Sequence, residues 1–219
     1  MVSVLRRVAR KLRRLLRGSP PAPQYAVADR NAFVSLIPHT HSVLEIGPFA
    51  QPVLRGPHVR YVDVLSTEDL RKRAQYLGMD ETKVPTISWV SNGSDLSVVN
   101  DTFDAVVSSH AIEHQPDFVR HLNQVAHLLK PNGRYYLLVP DHRYCFDHYL
   151  TPSTVAQILG AHLENRKVHT LSSVVEHRAL TTHNDPARHW AGDHGDPNEN
   201  RASRIASAIQ EISDANGAY

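Results

Sequence analysis

The chain has 219 residues, 41% of them hydrophobic and 21% charged, enough for one α/β domain with a full core. Its one cysteine, Cys145, excludes an internal disulfide framework and fits a reducing cytoplasm, and no apolar run approaches the roughly 18–20 residues of a membrane-spanning helix. The net charge of +2 hides an asymmetry: residues 1–18 hold seven of the 24 basic residues and no acid, so the remainder carries 17 bases against 22 acids. A negative body argues against a nucleic-acid partner, which demands a basic face.

Residues 1–18 read as an amphipathic helix. Val2, Leu5, Val8, Leu12, Leu15 and Leu16 recur at helical spacing and arginines fill the other face. Peripheral contact of residues 1–17 with the inner face of an anionic membrane stands beside a plainer reading, a solvated basic tail or a helix docked on the domain. Residues 19–28, opening on Ser19-Pro20-Pro21, form a linker.

From residue 29 to about 150 strand and helix alternate. Asp29 caps a short helix through Leu36. Strands are expected at 43–46, 59–64, 86–90, 103–108 and 134–139. Ser66 and Asp69 have capping-box spacing for a helix that stops at Gly78, and Pro116 opens a helix that runs to Leu129. The pattern predicts an α/β fold with a mostly parallel sheet and helices on both faces. Residues 151–219 are expected to form a helical and irregular lid on the acceptor side. In it, Thr151-Pro152 opens a helix to Leu163, 165–200 is irregular, and Arg201–Ser213 is helical.

Ligands of open parallel sheets bind beyond the carboxyl ends of the strands. Here those ends deliver Glu45-Ile46-Gly47-Pro48-Phe49, then Asp63, then Asn92-Gly93, then Ser109-His110, then Asp141-His142. Glycine permits close backbone approach, and an acid after the second strand is placed to accept hydrogen bonds from ribose hydroxyls. Glu45 and Asp63 also admit a plainer reading, as carboxylates that cap strands or pair with arginines.

The ordered set VLEIGPF, YVDV, DTFDAVVSSHAIEH and HLLKPNGRYYLLVPD resembles the class I S-adenosylmethionine-dependent methyltransferases over residues 40–141. The forms SSHAIEH and VPDHRYCFDH look like a bacterial branch associated with surface-glycan assembly. The resemblance implies a Rossmann-like core and S-adenosylmethionine as cofactor. By it, Glu45, Gly47 and Phe49 line the methionine and ribose end, Asp63 holds the ribose hydroxyls, Asn92 and Gly93 face the adenine, and Ser109 and His110 flank the sulfonium. The chain departs from the family pattern in three respects. A single Gly47 stands where the glycine loop has two or three. About a dozen residues separate it from the second strand, so the usual helix is short or absent. The two closing strands do not follow residue 141.

Methyl transfer to an oxygen of a sugar, glycan or other small acceptor calls for alignment and a general base. Position at the strand ends makes His142 and His110 the candidates, with Asp141 as orienting partner. The histidine-rich stretch 142–194 lacks tight ligand spacing, so no metal is expected. Two rivals stand beside this reading. One is a truncated, non-catalytic methyltransferase-like binding module. The other is a nicotinamide-dependent oxidoreductase, disfavoured by the missing G-x-G-x-x-G loop.

Overall fold

A computed structural model describes residues 29–214. The amphipathic segment 1–18 and the linker 19–28 lie outside these residues. The chain divides into two units, Met1–Pro38 and His39–Tyr219. In the first, helix α1 (Arg30–Ser35) starts at Asp29, whose carboxylate accepts the amide of Ala32, the N-cap expected from the sequence.

The second unit is built on a five-stranded, all-parallel sheet in the order β3-β2-β1-β4-β5. The strands are β1 (Val43–Ile46), β2 (Val59–Asp63), β3 (Trp89–Val90), β4 (Phe103–Ser109) and β5 (Leu129–Leu138). With helices around it, this is the Rossmann-like α/β architecture that the alternating pattern implied. No strand follows Leu138 among the described residues. Every residue of β1 is buried, which is why that strand reads as an unbroken apolar run apart from Glu45.

Alternation along the strands sends Leu44, Ile46, Val62 and Val106 to one core. They pack with Phe103 of β4 and with Val125 and Leu128 of helix α3 (Phe118–Leu128). A second cluster gathers Ala50, Leu70, Ala74 and Val84 around helix α2 (Thr67–Tyr76). No helix joins β1 to β2; the loop from Gly47 to His58 crosses instead. Two buried side chains hold this loop. The Glu45 carboxylate accepts the amides of Val53 (2.6 Å) and Leu54 (3.1 Å), and the Tyr61 hydroxyl donates to the Leu54 carbonyl (2.7 Å). The absent crossover helix is thus replaced by hydrogen bonds from the sheet itself.

Local chemistry moves several boundaries. Helix α3 begins at Phe118 because Asp117 caps it by accepting the Arg120 amide, which leaves Pro116 outside the helix. Helix α4 (Val155–Leu163) begins after Thr154, which forms a reciprocal capping box with Gln157, rather than at Thr151-Pro152. At α2 the Ser66 hydroxyl both accepts the Asp69 amide and donates to the Asp69 carboxylate, so the acid serves the side chain of the cap. Strand β5 starts at Leu129, paired with Phe103. Residues 130–133 then bulge out before Arg134 pairs with Ala105. The third strand shrinks to Trp89–Val90.

The stretch 165–200 is not irregular throughout. It contains α5 (Leu171–Leu180), capped by Thr170, and α6 (Pro186–Trp190), capped by Asp185. Helix α7 (Arg201–Asp214) follows as expected. Among the described residues no helix is long and apolar enough to cross a membrane.

Candidate active site

Strand β2 lies on one side of β1 and β4 on the other, so connections leave in opposite directions at the β1–β4 boundary. Such a switch point opens a crevice beyond the strand ends. The crevice here is a cleft of about 680 Å³. Its floor comes from Ile46, Gly47 and Phe49 after β1, Val62 and Asp63 of β2, and Ser91-Asn92-Gly93 after β3. One wall is His110-Ala111 after β4, continued by His114-Gln115-Pro116. Leu70, Arg73 and Leu77 also line it, and so do the exposed Lys167-Val168 and the half-buried His169 of the C-terminal region.

Backbone geometry at the cleft is unusual. Gly47 (φ +67°) and Gly93 (φ +84°) are left-handed, as are Phe49 (φ +44°) and His110 (φ +53°). A Cβ at Gly47 would lie 3.6 Å from Ala111 Cβ, and one at Gly93 would lie 3.2 Å from Val64 Cγ1. Both glycines therefore keep room where a ligand would approach. Left-handed non-glycine residues cost of order 1–3 kcal/mol each and concentrate at functional sites. At His110 the backbone amide donates to the Leu138 carbonyl, which fixes the strained residue across the β4–β5 boundary.

Asp63 is 8% exposed. Its Oδ2 accepts the Phe49 amide (3.1 Å) and its Oδ1 the Val64 amide (2.7 Å). Burial raises its pKa, opposed by these amides, by that of Leu65 and by the Arg73 charge. In the next loop Asn92 Oδ1 accepts the Ser94 amide (3.1 Å), and the Ser91 hydroxyl accepts the Gly93 amide (2.9 Å), so the turn is preformed.

The structure thus brings Gly47, Phe49, Asp63, Asn92, Gly93 and His110 to one cleft. The other sequence-picked residues sit elsewhere. Glu45, 1% exposed, lies beneath and is engaged with the loop amides. Ser109 ends β4, paired with Leu138, outside the cleft lining. His142 and Asp141 follow β5 and also stand outside it. Asp141 is gripped by Arg143 through contacts of 2.9, 3.1 and 2.6 Å, which hold its pKa down to about 2.

Sequence reasoning put residues 151–219 on the acceptor side but did not single out Lys167-Val168-His169. These residues reach the cleft through three ties to the start of α3 and the preceding loop. His162 Nδ1 binds both oxygens of the buried Asp117 (3.1 Å each), Arg120 donates to Asn165 (2.7 Å), and His169 Nε2 donates to the His114 carbonyl (3.0 Å). No local motif announces a contact between positions 45 to 55 residues apart.

His148, His183, His189 and His194 form a polar cluster. His183 accepts the Asp185 amide at Nδ1 and donates from Nε2 to the Asp193 carbonyl. His189 donates to the His183 carbonyl and shares a 3.1 Å Nδ1–Nδ1 contact with His194, on which His148 stacks at 3.5 Å. Burial and the neighbouring imidazoles lower the His194 pKa. Among the described residues no group of three or more His, Cys, Asp or Glu is arranged to hold a metal ion.

A family model described as a methyltransferase domain matches residues 47–137 and implies S-adenosylmethionine as the methyl donor. No curated protein matches the chain. Among solved structures, the chain is similar to the CcbJ methyltransferase from Streptomyces caelestis at 18% identity and a TM-score of 0.36, covering 54% of this chain and 53% of that one. The YcgJ protein from Bacillus subtilis shows 21% identity and a TM-score of 0.37, with 57% and 61% covered. YjhP from E. coli shows 14% identity and a TM-score of 0.37, with 87% and 90% covered. The chain thus spans between half and two thirds of the first two proteins.

Proposed function

We propose that the chain is an S-adenosylmethionine-dependent methyltransferase acting on an oxygen of a sugar, glycan or other small acceptor. One observation carries the reading: Gly47, Phe49, Asp63, Gly93 and His110 converge on a single cleft at the switch point of the parallel sheet. Within the stretch matched as a methyltransferase domain, this convergence supplies the parts a nucleoside cofactor requires.

The residues fit that cofactor. The cleft holds a buried carboxylate for ribose hydroxyls at Asp63, a polar turn for an adenine edge at Asn92-Gly93, and open backbone at Gly47. When bound, the cofactor supplies an electrophilic methyl group. The protein has to align the acceptor and exclude water. Phe49 and Leu77 present apolar surface to the cleft, and Asp63 is held in place by amides rather than by mobile side chains. His110 is the imidazole at the switch point, with Glu113 Oε1 3.8 Å from its Nδ1. An imidazole is the usual side chain to accept a proton from an acceptor hydroxyl. The sequence of residues 1–17 supports peripheral attachment to an anionic membrane, where lipid-linked acceptors would be met.

Calorimetric titration of S-adenosylhomocysteine into the purified chain tests the reading. Saturable one-to-one binding is expected. Absence of binding would rule the reading out and leave a binding module without cofactor.

A further inference from the structure

We propose that Lys167 is an anion anchor at the rim of the cleft, and that it takes a carboxylate or phosphate oxygen of the bound ligands. The inference rests on the cofactor reading above and deepens it.

Three observations meet at this residue. First, Lys167 lines the cleft although it belongs to the C-terminal region, far from the strand ends in sequence. Its segment is fastened on both sides by the His162–Asp117 and His169–His114 bonds, so the ammonium is presented from a held loop. Second, Lys167 forms no ion pair among the described residues, whereas eight of the sixteen Lys and Arg of the second unit do. Lys72, Lys83 and Lys130 pair with Glu68, Asp80 and Asp104, and Arg120, Arg143, Arg166, Arg178 and Arg188 each hold a carboxylate. Third, the charge around it is one-sided. Among the described residues Asp63 is the sole carboxylate of the cleft lining, already engaged by two amides, while Arg73, His110, His114 and His169 line the same cleft. Glu113 lies between His110 and His114, 3.8 and 4.0 Å from them, and does not pair with Lys167.

A lysine ammonium is a compact point charge that binds carboxylate and phosphate without demanding bidentate geometry. In a cleft with low-dielectric walls, an unpaired cation raises the local concentration of anionic ligands. Two sources can supply the anion: the amino-acid carboxylate at one end of the cofactor, or a charged group on the acceptor.

The experiment compares the intact chain with Lys167→Gln and Lys167→Arg, using S-adenosylhomocysteine and 5′-methylthioadenosine, which lacks the carboxylate, as probes. If the anion belongs to the cofactor, Lys167→Gln weakens S-adenosylhomocysteine about tenfold, leaves methylthioadenosine unchanged, and is rescued by Lys167→Arg. If it belongs to the acceptor, both nucleosides bind alike to all three proteins. Inorganic phosphate titrated onto the homocysteine complex then gives a binding signal that Lys167→Gln abolishes and Lys167→Arg retains. Equal weakening of both nucleosides, or no change in nucleoside and phosphate binding together, would overturn the proposal. Failure of the intact chain to bind S-adenosylhomocysteine instead removes the cofactor reading on which the proposal stands.

Discussion

The backbone amide of Phe49 donates to Asp63 Oδ2 at 3.1 Å, so the loop leaving β1 and the tip of β2 are tied together at the floor of the cleft. The bond joins a left-handed residue to a buried carboxylate. Position and charge at the site are therefore coupled: removing the carboxylate also releases the loop. Asp63→Asn keeps one acceptor oxygen and loses the charge, whereas Asp63→Ala frees both amides. A charge-assisted hydrogen bond contributes about 1.5–3 kcal/mol, and each 1.4 kcal/mol is tenfold in affinity. Calorimetry with S-adenosylhomocysteine is expected to show about tenfold weakening for Asp63→Asn and roughly a hundredfold or more for Asp63→Ala.

The two candidate bases are separable by position. His110 lines the cleft, while His142 stands outside it beside an Asp141 committed to Arg143. Once an acceptor is in hand, His110→Ala should lower kcat about 10²-fold, the usual scale for a lost general base. His142→Ala should leave kcat within a few-fold. The reverse pattern would transfer the base role to His142.

Gly47 tests the backbone rather than a side chain. Alanine in its left-handed conformation costs about 1–2 kcal/mol, and the added methyl would point toward Ala111 across the switch point. Thermal melts should show a drop of several degrees for Gly47→Ala, and cofactor binding should fall further than the melt alone explains. Unchanged affinity would mean that the cofactor does not pass over this glycine.

Glu45 is expected to behave as a scaffold residue. Its buried carboxylate holds the Val53 and Leu54 amides, so Glu45→Ala leaves two amides unpaired and a void, at about 3–5 kcal/mol. Denaturant unfolding should register that loss directly. In the fraction that folds, affinity for S-adenosylhomocysteine should drop much less than in Asp63→Ala.

His121 sets an acid limit on stability. It is a buried residue of α3, its Nε2 bonds the Tyr135 hydroxyl at 2.8 Å, and burial lowers its pKa to about 4. Tyr135 in turn bonds Ser108 and is itself pushed up to about 12 by burial. Because the folded histidine resists protonation, the unfolded chain binds the extra proton between pH 6.5 and about 4. Stability from this group is complete above pH 6.5, falls as the pH drops through that window, and levels off below it. Its full span is on the order of 3 kcal/mol. Chemical denaturation from pH 7 to 4 should show this slope, reduced in His121→Gln, which keeps a polar atom near Tyr135.

The element order, the parallel sheet and most of the strand-end residues were legible because each is signalled over a short stretch. An apolar β-branched run such as Val43–Ile46 becomes a buried strand, and Asp29 becomes a cap through its own side chain. The helix over Pro186–Trp190 was legible in principle too, since Asp185-Pro186 is a cap followed by a first-turn proline, but the surrounding polar residues masked it.

Other features depended on distance in space. Glu45 and Asp63 are both acids at strand ends. Alternation and the crossing loop buried Glu45 against Val53 and Leu54, while Asp63 faces the cleft. Likewise, no pattern around Lys167 points to the cleft; it arrives there because His162 and His169 fasten its loop to Asp117 and His114. The sequence by itself determined the strands, the caps and the acids and glycines at the strand ends, because these follow from local propensity and periodicity. Tertiary structure alone decided which of those groups meet in one cleft, because that depends on contacts between segments tens of residues apart.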